Sequence, residues 1–255
     1  MTTAPLHRPQ SASAMTPGEW TVRVNLAACY RLVAYYGWTD SIATHISARI
    51  PGEDAFLLNP YGLLFEEVTA SNLVKIDLAG NILSPTEHSI NPAGFVVHSA
   101  VHEARHDIGC VIHLHTDDGV AVSCLEEGLL PLNQTAMLLA HNIAYHDYEG
   151  VALDLDERKR LGSDLGLRQM MILRNHGTLT VGHNVAEAFL RMYLLERACS
   201  IQVRALSMGR PLKAVTAEAI ERSAQTETAL GGPIADVAWE AHKRLLNAER
   251  PDYRM

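Results

Sequence analysis

The sequence has no surplus of positive charge. Its 255 residues carry 21 Lys and Arg against 29 Asp and Glu, a formal net charge of −8 at pH 7. Nucleic-acid binders usually show a basic excess or a basic run, and neither occurs, so no nucleic-acid partner is expected. No run of eighteen apolar residues exists, so no membrane-spanning helix is expected and no membrane partner. The opening stretch MTTAPLHRPQSASAM lacks the apolar segment of a signal peptide. Cysteine is scarce, with Cys29, Cys110, Cys124 and Cys199 far apart and no C-x-x-C. That usage reads as free thiols in a reducing compartment, and the expected location is the cytoplasm. Histidine is the abundant exception, at 13 residues.

At 28.0 kDa the chain is expected to bury roughly 70% of its unfolded surface, enough for a core without disulfides. Residues 1–15, rich in Pro, Ser, Thr and Ala, read as a disordered N-terminal tail. Thr16-Pro17-Gly18-Glu19 is a T-x-x-E capping signal with Pro at the first helical position, and Gly37 offers the stop. Strands are expected at 42–50 and 55–58, then a hairpin of 73–78 with 82–83. From Pro92 the period becomes helical to about Arg105, followed by an apolar strand from Cys110 to Leu114. Further helices are expected at about 117–126, 154–166 and 185–208, with a strand at 169–173, and Gly209 closes the long helix. Two short amphipathic helices near 215–228 and 234–247 end the chain. Helices interleaved with strands and hairpins predict an α/β fold with a mixed sheet between helical layers. One domain is expected at 16–210, with a helical C-terminal tail at 211–255.

His102-Glu103-Ala104-Arg105-His106 satisfies H-E-x-x-H, the helical zinc-protease pattern. Helix geometry argues against it. The apolar stripe Ala93, Val96, Val97, Ala100, Val101 and Ala104 leaves His102 and His106 roughly 150–170° away, on the expected solvent side. His113-Leu114-His115 is quieter and more useful, since residues i and i+2 of a strand share a face. His176, in Arg174-Asn175-His176-Gly177, follows another apolar strand and could complete a three-His site with open coordination positions. On spacing alone, a pair of hydrogen-bonded core histidines fits H-x-H as well. Two other features read as ordinary surface, the Tyr145–Glu149 loop and His141 with His183, while Arg191 and the charges of the long helix are expected to be exposed or at subunit contacts.

The order of features resembles the class II aldolase/adducin family. The H-x-H strand precedes the N-H-G segment by about 61 residues. The Ala43-Thr44-His45-Ile46-Ser47 strand, the Asn59-Pro60-Tyr61-Gly62 turn and Thr69-Ala70-Ser71-Asn72-Leu73 match as well, over about residues 17–210. The resemblance implies a three-layer α/β/α fold with a mixed central sheet, and a divalent metal on His113, His115 and His176, with Zn²⁺ first and Fe²⁺ as alternative. It also implies a homotetramer with the site near a subunit interface.

The resemblance breaks at the chemistry. The family's proton-transferring glutamate corresponds to Gly94, and the two serines before it to Pro92 and Ala93. The asparagine of the G-N-x-S segment corresponds to His45, the serine of the S-G turn to Tyr61, and a partner-site tyrosine falls near Gln134 or Thr135. Asn91 to Phe95 reads N-P-A-G-F, as in adducin-like members. His45, Tyr61 and Asn91 are therefore the expected substrate contacts, and no catalytic base is assigned. His45, Tyr61 and Tyr148 are the groups considered for moving protons. Three functions follow: a metal-dependent lyase on a small unphosphorylated oxo- or hydroxy-acid, a non-haem iron oxygenase of an aromatic or other 2-oxo-acid, or a non-catalytic adducin-like binding module.

Overall fold

The computed structural model describes residues 15–151 and 156–255. The expected disordered tail lies, apart from Met15, outside the described residues, as does most of the expected start of the 154–166 helix. In chain order the elements are α1 (Pro17–Tyr35), β1 (His45–Arg49), β2 (Ala55–Leu58), β3 (Val74–Asp77), α2 (Pro92–Ala104), β4 (Cys110–Leu114) and α3 (Asp117–Ser123). There follow α4 (Gln134–Leu139), β5 (Ile143–His146), α5 (Glu157–Leu165), β6 (Met170–Leu173), β7 (Gly177–Gly182), α6 (Val185–Ser207) and α7 (Ala217–Glu249).

The strands form one sheet in the order β3-β2-β1-β4-β7-β6-β5, antiparallel except for the parallel β5–β6 pair. Alternation along β4 sorts its side chains between two layers. Cys110, Ile112 and Leu114 join the core under α1, α6 and α7, while Val111 joins the core under α2 and α5. His113 has the parity of Val111, so it is directed to the α2 side. The register sets His45 of β1 directly opposite His113 of β4.

Local chemistry explains the element ends. The Thr16 hydroxyl accepts from the Glu19 N–H at 3.1 Å and opens α1, and Gly37 follows it at φ +69°. The Asn91 side chain accepts from the Ala93 N–H at 3.0 Å to open α2, with Pro92 at the first position.

Several expectations need correction. The two C-terminal helices are one, α7, which runs 33 residues through Pro233. Proline removes one internal hydrogen bond, but Ala235, Trp239 and Leu246 beyond it are buried and hold the helix against the body. The segment expected as a tail thus packs into the main core, with Trp239 donating to Asn25 and the Tyr253 carbonyl accepting from the Ala70 N–H. Arg191 is partly buried, donating to the Val181 carbonyl at 2.8 Å and pairing with Glu187. Tyr145 and His146 belong to strand β5 rather than a loop, and α4 and β7 are elements that periodicity did not separate from loop. Each is six residues or shorter, too short for a helical or alternating period to stand out.

Candidate metal centre

Two strand ends and one turn build the site. His113 is the penultimate residue of β4, and His115 follows the strand with the same parity. After β6 the chain turns sharply: Asn175 takes a left-handed φ of +56°, which Asn tolerates, and the His176 N–H returns to the Leu173 carbonyl. Gly177 then passes close to β4, where a Cβ would stand 2.5 Å from the Leu114 carbonyl and 3.0 Å from the His115 ring. The turn therefore needs glycine, and it delivers His176 to the other two histidines.

Among the described residues, His113, His115 and His176 form the group whose nitrogens could hold a metal, all within 4.8 Å of one another. The Nε2 atoms of His115 and His113 are 2.9 Å apart, and those of His113 and His176 are 3.3 Å apart. The outer nitrogens fix the tautomers. His113 Nδ1 donates to the Thr178 carbonyl at 3.0 Å, and His115 Nδ1 donates to Asp40 Oδ2 at 2.9 Å. Each ring then points a bare Nε2 lone pair inward. Two lone pairs at that separation repel unless a cation stands beside them. Two imidazoles on a tetrahedral Zn²⁺ at about 2.0–2.1 Å would have nitrogens roughly 3.3 Å apart, so the donor set fits. Burial, then the neighbouring imidazoles, hold His113 well below the usual histidine range and bring His176 to about 4, which keeps both neutral for ligation. Thr178 and Asp40, absent from the sequence reading, are the partners that orient the ligands.

Behind the centre lies a second histidine group, in which His98 and Ser47, not singled out from sequence, join His45 to His102. His45 is buried and its Nδ1 meets His98 Nε2 at 2.8 Å. His98 Nδ1 meets the Ser47 hydroxyl at 2.6 Å, and that hydroxyl meets His102 Nε2 at 2.8 Å. His102 is thus fully buried, against expectation. Gly94, His98 and His102 form an i, i+4, i+8 row of α2 that faces β1, a face that counting apolar residues assigns to solvent. His106 is exposed. The visible signal was the shared strand face of His45 and Ser47 and the one-turn spacing of His98 and His102.

The other expected contacts are more distant in role. Tyr61 is exposed on its turn, whose backbone N–H reaches the Ser89 carbonyl. The Asn91 side-chain carbonyl is occupied as the cap of α2. The half-exposed Tyr148 ring lies 6.2 Å from that of His176.

Residues 24–203 match the class II aldolase and adducin N-terminal domain. The chain belongs to this family. A protein of Caulobacter vibrioides named "Putative aldolase class 2 protein" is 54% identical over 241 residues, covering 94% of each chain. Mouse alpha-adducin is 45% identical over 209 residues, which are 80% of this chain and 28% of adducin. An aldolase II superfamily protein from Pseudomonas syringae has a crystal structure that superposes with a TM-score of 0.94 at 49% identity, covering 97% of this chain and 100% of that one. The mixed seven-stranded sheet is the class II aldolase fold. No helix among the described residues is long and apolar enough to cross a membrane.

Proposed function

We propose that this family member is a metal-dependent lyase acting on a small, unphosphorylated oxo- or hydroxy-acid. The observation that carries the reading is the convergence of three Nε2 atoms at His113, His115 and His176, two of them stripped of protons by their Nδ1 partners. When bound there, a divalent ion, Zn²⁺ first and Fe²⁺ as alternative, supplies Lewis-acid polarisation of substrate oxygens. The bond changes are those of a retro-aldol step. A substrate hydroxyl loses its proton, its oxygen becomes a carbonyl, and the adjacent C–C bond breaks with its electron pair left as an enolate. That enolate then takes a proton at carbon.

The start of α2 supports the choice of an unphosphorylated substrate. Helix N-termini hold phosphate through free N–H groups. Here Pro92 has none, and the Ala93 N–H is taken by Asn91. His45 adjoins the centre, and Tyr61 with Asn91 would border the far end of the substrate. A homotetramer with the site near a subunit interface is part of this reading.

A second reading has its own support. The relatedness to alpha-adducin, of which the chain spans 28%, favours a binding module that keeps the fold without turnover. Anaerobic assays of the zinc form and aerobic assays of the iron form, across a panel of 2-oxo- and 2-hydroxy-acids, test the proposal. Product formed by the zinc form without dioxygen is expected. Activity confined to the iron form with oxygen uptake would reject the lyase for the oxygenase, and both metal forms inert across the panel would favour the binding module. Turnover of fuculose or ribulose phosphates at ordinary enzyme rates would overturn the unphosphorylated substrate.

A further inference from the structure

We propose that Glu196 is a positioning residue of the metal centre, which ties together the two chain segments that carry His115 and His176. The inference rests on the three-histidine metal reading above and not on the lyase reaction.

Strand pairing alone does not hold those two ligands. The β4–β7 ladder ends where Leu114 faces Thr178, so it fixes His113, opposite Leu179, and stops one residue short of His115. His176 lies in the turn between β6 and β7. Glu196, on α6, reaches across this gap. Its Oε2 accepts from the hydroxyl of Thr116, the residue after His115. Its Oε1 accepts from the hydroxyl of Thr178, two residues after His176, at 3.3 Å. Thr178 also offers its carbonyl to His113 Nδ1, so the bridge reaches the third ligand as well. Thr116 is fixed twice, because its oxygen accepts from the Gly119 N–H at 3.2 Å and caps α3.

The junction is closely packed, with Glu196, Thr116 and Thr178 all buried. A Cβ on Gly119 would stand 2.6 Å from Thr116 Oγ1 and 2.9 Å from Glu196 Oε1, so glycine is what lets α3 start against the bridge. Among the described residues no cation pairs with Glu196, and burial pushes its carboxyl up to about 7 against the two hydroxyls, which lower it. A buried carboxylate without a cation costs stability, so ion pairing does not account for its place. The two hydroxyl contacts do. They set the separation of the segments and, with it, that of the ligand nitrogens. If geometry rather than charge is what matters, glutamine should serve in its place. Its amide oxygen can accept from Thr116, and its NH₂ can donate to the Thr178 oxygen, whose own proton then turns to Met192 Sδ at 3.6 Å.

The test uses the full chain. It reads Zn²⁺ affinity by competition with a chromophoric chelator, and the visible bands of the Co²⁺ form as a signature of ligand geometry. Glu196→Ala should still bind one zinc per chain, but about 10-fold or more weakly, the scale of a lost hydrogen bond behind a metal ligand, and with shifted cobalt bands. Glu196→Gln should restore both affinity and bands. Unchanged affinity in Glu196→Ala, with or without a lower thermal midpoint, would overturn the role. So would a Glu196→Gln variant as weak as Glu196→Ala, since the carboxylate would then act by charge. Should circular dichroism show that Glu196→Ala does not fold, Thr178→Val takes its place. It removes the hydroxyl at constant shape and keeps the carbonyl that His113 uses; weaker zinc binding is expected, and full affinity would overturn the bridge. Failure of the unmodified protein to take up zinc would overturn the metal reading itself, and the positioning role with it.

Discussion

Two histidine groups share one side of the sheet, and they differ in where their Nε2 atoms lead. In the first, His113, His115 and His176 turn Nε2 toward one another, while a carbonyl and a carboxylate hold the outer nitrogens of His113 and His115. In the second, His45, His98 and His102 are strung nitrogen to nitrogen or through Ser47, and every link is already a hydrogen bond. The same side chain is ligand in one place and wiring in the other. What decides is whether its second nitrogen meets an acceptor that cannot give a proton back. For His113 and His115 a carbonyl or a carboxylate leaves Nε2 free for a metal, whereas for His98 another imidazole and a hydroxyl occupy both nitrogens.

The sharpest way to break that contrast is to remove a ligand. His113→Ala should take bound zinc from one per chain to none in metal analysis of protein purified without chelators. The substitution empties a buried position, so circular dichroism should accompany the analysis to show that the fold persists. Retention of stoichiometric zinc would mean that the two groups are not distinct in kind. A smaller effect is expected one layer out. Asp40→Ala removes the acceptor of His115 Nδ1, and zinc affinity in a competitive titration should fall about 10–100-fold while stoichiometry is kept.

Much of the first group was legible in the sequence, and little of the second. H-x-H at a strand end and a histidine after a second strand are local patterns, so spacing singles out His113, His115 and His176 as candidates, and the family resemblance favours a metal site over hydrogen-bonded core histidines. The hydrogen-bonded chain of His45, His98, Ser47 and His102 joins β1 to α2 across some fifty residues, and the face of α2 that carries it is made of Gly94, His98 and His102, which no apolar stripe marks. The fold follows the same rule. Long elements such as α1 and α6 announce themselves by caps and period, whereas α4 and β5 exist only because neighbours cover them. Pro233 taught the converse: a local breaker was outweighed by the burial of Ala235, Trp239 and Leu246.

Crowding between the two groups gives the next prediction. Gly94→Ala forces a Cβ to within 2.6 Å of the His45 ring, which must move or push α2 outward. Overpacking of this kind typically costs about 1–3 kcal/mol, and at roughly 2–4 °C per kcal/mol for a chain of this size the thermal midpoint should drop several degrees. Zinc content should be unchanged, because none of the three ligands is displaced. An unaltered melting curve would show that the space before Gly94 is looser than the geometry indicates.

The smallest expected effect concerns the motif that looks most like a metal site. H-E-x-x-H requires both of its histidines to face one pocket, one helical turn apart. In α2 the first, His102, is buried and bound to Ser47, while His106 lies beyond the helix end and is exposed. No single ion can be shared by a side chain committed to the interior and one committed to solvent. His106→Ala should therefore leave zinc stoichiometry unchanged and shift stability by no more than about 0.5 kcal/mol, the usual range for an exposed position. His102→Ala should also retain zinc, but at a measurable cost in thermal stability, since it strips the Ser47 hydroxyl of a buried partner. Loss of zinc on replacing His106 alone would relocate the metal to the helix and dissolve the distinction between the two histidine groups.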